Sequence, residues 1–167
     1  MPPITVAIAR ASERVVIENL MQLYVHDFSE FWRDKPQGEL DRTGRFADAY
    51  PLDGYWRDQD RVPLLLWRGE SLAGFALLNG HAHSGLTTDQ NMAEFFVVRK
   101  HRLGGVGMAA ANAIFALYPG LWETAVARAN LPALAFWRRV AAQHTEIEEL
   151  DVTTEAWNGP ILRFRAG

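Results

Sequence analysis

The sequence predicts an α/β domain of the α+β kind, and three observations carry that expectation. Short apolar stretches with strand character alternate with stretches of helical period. A glycine-rich turn joins a strongly apolar strand to an alanine-rich helix. The 167 residues, 49% of them hydrophobic and 22% charged, have the size and make-up of one globular unit, able to bury roughly two-thirds of its unfolded surface.

The elements follow in order. Residues 4–10 read as a first strand in which Ile4, Val6 and Ile8 alternate with smaller residues. Ser12 suits a helix cap, and Val15, Val16, Leu20 and Leu23 then recur at helical spacing to about Tyr24. Residues 26–61 mix aromatics with Pro36, Gly38, Gly44, Pro51 and Gly54; a short second helix and a long loop are expected there, and long loops in compact domains often bind ligands. Residues 63–68 and 71–79 form a hairpin about Gly69, and residues 80–91 a loop. Residues 92–99 form a strand, 105–118 a helix stopped by Pro119-Gly120, and 121–127 another strand. A helix over 131–142 is capped by Asn130 and carries Pro132 in its first turn. Residues 145–152 and 161–165 complete the pattern as strands. No repeat or low-complexity stretch interrupts it, so residues 1–167 are read as a single domain.

Composition narrows the function. A net charge of -3 argues against a nucleic-acid binder. The absence of cysteine removes disulfides, thiolate catalysis and Cys-based zinc sites. His81 and His83 stand two apart near Asp89 without a third close ligand, so no metal is expected. No apolar run approaches the ~20 residues of a membrane span, and the first residues lack a signal-peptide pattern. A cytoplasmic protein without nucleic-acid or membrane partners is the expectation.

The segment that carries chemistry is Glu94-Phe95-Phe96-Val97-Val98-Arg99-Lys100-His101-Arg102-Leu103-Gly104-Gly105-Val106-Gly107. It runs from an apolar strand through a basic turn and Gly-x-Gly into a helix. The first N–H groups of a helix lack partners within it, and with the helix dipole they favour phosphate oxygens. The glycines let backbone approach a pyrophosphate, and Arg102 can neutralise its charge.

The motif Arg102-x-x-Gly105-x-Gly107 resembles the pyrophosphate-binding motif of the Gcn5-related N-acetyltransferase (GNAT) superfamily. Asn130-x-x-Ala133-x-x-Phe136-Trp137 is similar to that family's second signature, and the order of elements matches along most of the chain. The sequence looks closest to a bacterial branch with a Glu-Phe-Phe-Val strand and a Phe-Trp helix.

The resemblance implies a GNAT fold with a mixed sheet of about six to seven strands and about four helices. It implies transfer of acetyl from acetyl-CoA to a primary amine, by direct attack in a ternary complex. The implied donor site is a gap between two diverging parallel strands, residues 92–99 and 121–127. Backbone of Phe96, Val97 and Val98 would meet the pantetheine arm, with the Val97 N–H polarising the thioester carbonyl. Arg102, Leu103, Gly104, Gly105, Val106, Gly107 and Met108 would hold the pyrophosphate. Asn130 would hydrogen-bond the pantetheine, beside Phe136 and Trp137. Family members often dimerise, so a homodimer is one implied assembly.

Trp137 departs from the pattern. The family often has a Tyr there that protonates the departing thiolate; an indole N–H does not ionise usefully. A CoA-binding protein with weak or no turnover is therefore the alternative.

Several residues compete for acid–base and acceptor roles. Glu94 lies in an apolar strand and is either a cleft-facing base with a raised pKa or a salt-bridged edge residue. Glu123, beside Trp122, either faces the acceptor or lies on a solvated strand face. His26 can take a proton near neutrality or sit on the surface. Tyr55, with Tyr24, Tyr50 and Trp56, either lines the acceptor site or packs the core.

Overall fold

The computed structural model describes residues 1–46 and 50–167. All the named strands join one seven-stranded sheet, β1 (Ile4–Ile8), β2 (Val62–Arg68), β3 (Ser71–Asn79), β4 (Gln90–Val97), β5 (Gly120–Ala125), β6 (Thr145–Thr153) and β7 (Asn158–Ala166), in the order β1-β2-β3-β4-β5-β7-β6. Neighbours run antiparallel except β4 and β5, which are parallel.

Among the described residues three helices cover the sheet: α1 (Arg14–Phe28), α2 (Val106–Leu117) and α3 (Leu131–Ala141). α1 buries Ile17, Leu20, Met21 and Val25, a stripe at i, i+3, i+4 and i+8 that faces the core. On the opposite side, Ala110, Ala111, Ile114 and Phe115 of α2 and Trp137, Val140 and Ala141 of α3 pack with Trp122 and Phe164. β2 and β3 are apolar on both faces because both are covered. Leu64 and Leu66 join the α2–α3 core, whereas Leu65 joins the α1 core with Phe75, Leu77 and Phe96. Trp122 is fully buried, and its indole donates to the Tyr118 carbonyl at 2.9 Å. At β3, a Cβ on Gly74 would lie 1.9 Å from the Phe96 carbonyl oxygen, so only glycine fits that approach to β4.

The structure corrects three expectations. Among the described residues there is no second helix after α1. α1 itself runs on to Phe28, and 3-10 turns at Ser29–Trp32 and Asp53–Trp56 are all the helical structure that follows before β2. Pro36, Gly38, Gly44 and Pro51 interrupt the rest, so three helices stand where about four were expected; residues 47–49 of that segment lie outside the described residues. Ser12 is not a cap. It sits in a 3-10 turn, Ala11–Glu13, whose Glu13 carboxylate accepts the Arg10 N–H at 2.9 Å. The last two strands are also longer than expected, reaching Thr153 and starting at Asn158.

β6 is an edge strand, and its exposed acids are matched by arginines. Glu146 pairs with Arg165 at 2.8 Å, Glu149 with Arg138 at 2.6 Å and Asp151 with Arg128 at 2.6 Å. Each exposed pair adds little stability, but the charges discourage a further strand from adding to that edge. Among the described residues, no helix is long and apolar enough to cross a membrane.

Candidate active site

The parallel seam between β4 and β5 is two pairs long, Gln90 with Trp122 and Asn91 with Glu123. Beyond it the strands separate. Val98 N–H donates to the Ala73 carbonyl at 2.8 Å, and Val97 stands opposite Gly74, Phe96 opposite Phe75 and Phe95 opposite Ala76. Antiparallel hydrogen bonds alternate between residues. The N–H groups of Phe96 and Val98 are therefore committed to β3, and those of Phe95 and Val97 point into the gap. Val97 thus presents its N–H to the gap, whereas Phe96 and Val98 have no N–H to spare. Phe95 was missed, although a step of two from Val97 leads to it.

A bulge sets the side chains of β4. The register with β3 slips between Leu77, opposite Glu94, and Leu78, opposite Met92, which leaves Ala93 as the extra residue. Met92 and Val97 belong to the α2–α3 core and Phe95 packs against it, whereas Phe96 belongs to the α1 core and Ala93 packs there. The slip turns Glu94 to the α1 side, among Tyr24, Tyr50 and Tyr55. Burial raises the Glu94 carboxyl to about 7, against a lowering by the Tyr24 hydroxyl. Burial, reinforced by the Glu94 charge, also holds the Tyr24 phenol well above its ordinary value.

At the mouth of the gap, Gly105 caps α2 in the left-handed region, φ 76°, a conformation that favours glycine. Leu103 also has positive φ, at 63°, and its side chain is fully exposed. The N–H groups of residues 103–108 donate to no acceptor among the described residues; the next, of Ala109, takes the Gly105 carbonyl at 2.9 Å. A Cβ on Gly104 or Gly105 would meet nothing within 4 Å. Gly107 differs, since its Cβ would lie 3.2 Å from the Phe136 ring. Its glycine serves the packing of α2 against α3 as well as any approach by phosphate.

Arg102 is turned away from this row. Its Nε donates to the Val97 carbonyl at 2.7 Å, its Nη2 is paired with Asp27 of α1, and its guanidinium lies over the Phe96 ring. Arg99 also holds Asp27, at 2.8 Å. Burial would raise the Asp27 carboxyl, but the hydrogen bonds from the two arginines together hold it below its usual value.

On the α2–α3 side, Phe95 stacks on Phe136 at 5.8 Å and meets Trp137 edge-on at 5.3 Å. Trp137 is 6% exposed. Met108, Phe136 and Leu134 pack partly buried on the same core. The Asn130 side-chain oxygen caps α3, accepting the Ala133 N–H at 3.2 Å.

Two expected acceptor residues fall outside the cleft. Glu123 is fully buried in an ion pair with Arg163 at 2.7 Å and also accepts from Ser84 N–H at 3.1 Å. It is neither solvated nor open to a substrate, because loop residues Ser84, Thr87 and Thr88 close over the Arg163 head. His26 is exposed on α1, with its ring 6.1 Å from Phe46 and not among the tyrosines around Glu94. Tyr55, in contrast, does lie beside Glu94. His81 and His83 meet edge-on at 4.6 Å, and His83 lies against Trp157. Among the described residues no group of three or more metal-binding side chains forms.

No protein-family model matches the sequence, and no curated protein matches it. Solved structures do resemble its fold. An acetyltransferase from Thermus thermophilus superposes with a TM-score of 0.65 at 16% identity, covering 99% of each chain. The aminoglycoside acetyltransferase AAC(6')-Ib, in complex with coenzyme A and kanamycin, gives 0.64 at 13% identity over 97% of this chain and 94% of its own. FdhC, a nucleotide-linked sugar GNAT, gives 0.63 at 9% identity over 98% and 87%. The splayed parallel pair, the glycine turn before α2 and these superpositions over nearly the whole length agree: the chain has the GNAT fold.

Proposed function

We propose that this chain is an N-acyltransferase that passes acetyl from acetyl-CoA to a primary amine within a ternary complex. The observation that carries the reading is the gap itself. Two strand N–H groups face it, an unpartnered row of N–H groups lies at its mouth, and a carboxyl with a pKa near neutrality stands on the far side of β4. A solved structure of the same fold, an aminoglycoside acetyltransferase, contains coenzyme A together with kanamycin, which supports the donor and the acceptor class.

The residues present fit the donor. The N–H groups of residues 103–108 and the open space over Gly104 and Gly105 suit a pyrophosphate. Acetyl-CoA supplies an acyl group activated as a thioester. Phe95 and Val97 N–H groups donate to the carbonyl oxygen as it gains negative charge, fixed in place before the reaction. Glu94 takes a proton from the incoming ammonium. The amine nitrogen could then bond to the carbonyl carbon and give up its second proton to water as the C–S bond breaks and the thiolate leaves. Trp137 supplies no proton, so water protonates the thiolate, whose ordinary pKa of about 8–9 makes that an easy step.

Trp137 also favours a second reading, a CoA-binding protein without turnover. Calorimetric titration with acetyl-CoA, followed by an assay of free thiol with a panel of primary amines, decides between them. Saturable binding with thiol release supports the transferase; binding without release supports the second reading; no binding at millimolar acetyl-CoA removes both. In the same titration, Gly104→Trp should weaken acetyl-CoA binding at least about tenfold while melting like the parent, since the new side chain enters open space over the N–H row. Unchanged affinity would remove the pyrophosphate assignment.

A further inference from the structure

Of the side chains around Glu94, Tyr24 is held in a way that the transfer steps do not use. Its ring is clamped by three others. The centroids lie 5.7 Å from Phe28, 5.9 Å from Phe75 and 5.8 Å from Phe96, the last two edge-on. A phenol so packed has little freedom at either side-chain torsion, so its hydroxyl is aimed one way. Phe75 and Phe96 stand opposite each other on β3 and β4. Glu94 lies two residues before Phe96 on the same α1 side, about 7 Å along the strand. There the Tyr24 hydroxyl meets the Glu94 carboxyl in a hydrogen bond.

The other groups at that carboxyl act differently. Tyr55, from the 3-10 turn before β2, feels the Glu94 charge, but its hydroxyl is engaged by Tyr50 and Asn79. Tyr50 faces Tyr24 and Tyr55. Among the described residues no arginine, lysine or histidine acts on Glu94, so the Tyr24 hydrogen bond is what favours its charged form against burial. Tyr24 keeps its own proton, because burial and the Glu94 charge hold the phenol well above its ordinary value. It is therefore a donor at every pH at which Glu94 titrates, and neither acid nor base itself. Both side chains are half-buried; one carboxylate oxygen can accept from Tyr24 while the other is open to a substrate.

The geometry points to Tyr24 as a positioning residue: its phenol, locked by three rings, donates to one oxygen of the Glu94 carboxylate and aims the other at the acceptor's amine. This rests on the transfer reading and adds to it a residue that acts through the base. α1 thereby takes part in the chemistry without touching the reacting atoms.

Tyr24→Phe keeps the ring and removes the donor. In a profile of kcat/KM against pH it should move the limb near neutrality upward by about one pH unit, the worth of a hydrogen bond to a charged group. The variant is then about tenfold slower than the parent on the acid side of the limb and closer to it on the alkaline side. A 3-fluorotyrosine at position 24, a stronger donor of almost the same shape, should move the limb downward. A role in packing alone moves it in neither protein, and the second protein serves should Tyr24→Phe fold poorly. The Glu94 titration is followed separately in the whole protein without substrates, by carbon NMR of its glutamate carboxyls, with Glu94→Gln to assign the signal. A Glu94 midpoint that stays within about 0.3 pH unit of the parent's in both altered proteins overturns the assignment. Midpoints that move in opposite directions without any acetyl transfer uphold the Tyr24 contact and remove the transferase reading; transfer with an unmoved midpoint does the reverse.

Discussion

Glu94→Gln is expected to lower kcat by about 10²–10⁴-fold, the usual contribution of a positioned base, and to abolish the pH dependence of kcat/KM near neutrality. With the Glu94 carboxyl raised by burial to about 7, the parent's rate should climb as pH rises through that value and then level off; the variant's profile should be flat there. The same variant should be the more stable protein above pH 7. Glu94 holds its proton more tightly folded than unfolded, so between the ordinary carboxylate pKa and about 7 the folded state binds more protons. Stability then falls as pH rises across that window. The rise from 4.5 to about 7 amounts to at most about 3 kcal/mol, and the amide escapes it. A pH–rate profile with melting curves at pH 6 and pH 8 checks both arms. A variant that keeps the parent's profile would remove Glu94 as the base.

The second large effect is structural. Glu123→Ala leaves Arg163, whose side chain is 6% exposed, without its buried carboxylate partner, and only the exposed Glu148, 3.7 Å from its Nε, remains beside it. Breaking such a pair from one side costs about 3–5 kcal/mol, so denaturant unfolding should show a loss of that order, and poor expression is the natural consequence. Removing both charges, with Glu123→Met and Arg163→Met together, should recover most of the loss, since a buried pair replaced by apolar groups is often neutral. A Glu123→Ala protein as stable as its parent, with a changed acceptor KM, would instead return Glu123 to the substrate site.

Those two glutamates show how far the sequence could be read. Both sit in apolar strands, and both were open to a functional role. One residue, Ala93, separates their fates: the bulge it forms turns Glu94 to the tyrosines of the α1 side, and no periodicity count reveals a bulge. Glu123 met Arg163, 40 residues later, across the β5–β7 ladder, a pairing that depends on strand order. The glycine turn, the cap at Asn130 and the order of strands and helices were legible because each rests on local chemistry within a few residues. Around Glu94, the tyrosines Tyr24, Tyr50 and Tyr55 stood among the sequence candidates, but that α1, the 3-10 turn and β4 bring them together could be seen only in the fold. Arg102 was legible by position but not by direction. That α1 supplies Asp27 to hold its guanidinium depends on the fold.

The two-pair seam between β4 and β5 has a consequence for how the molecule holds together. β1 to β4 form one ribbon and β5, β7 and β6 another, and little backbone hydrogen bonding crosses between them. Their cohesion rests instead on side chains, as residues of β2, β3 and β4 share one core with Trp122 of β5 and Phe164 of β7 beneath α2 and α3. The amides of Phe95 and Val97 therefore lie in the middle of a continuous sheet and yet should exchange with deuterium like loop amides. A guest that brings its own carbonyl groups into the gap acts there as a missing rung, fastening one ribbon to the other.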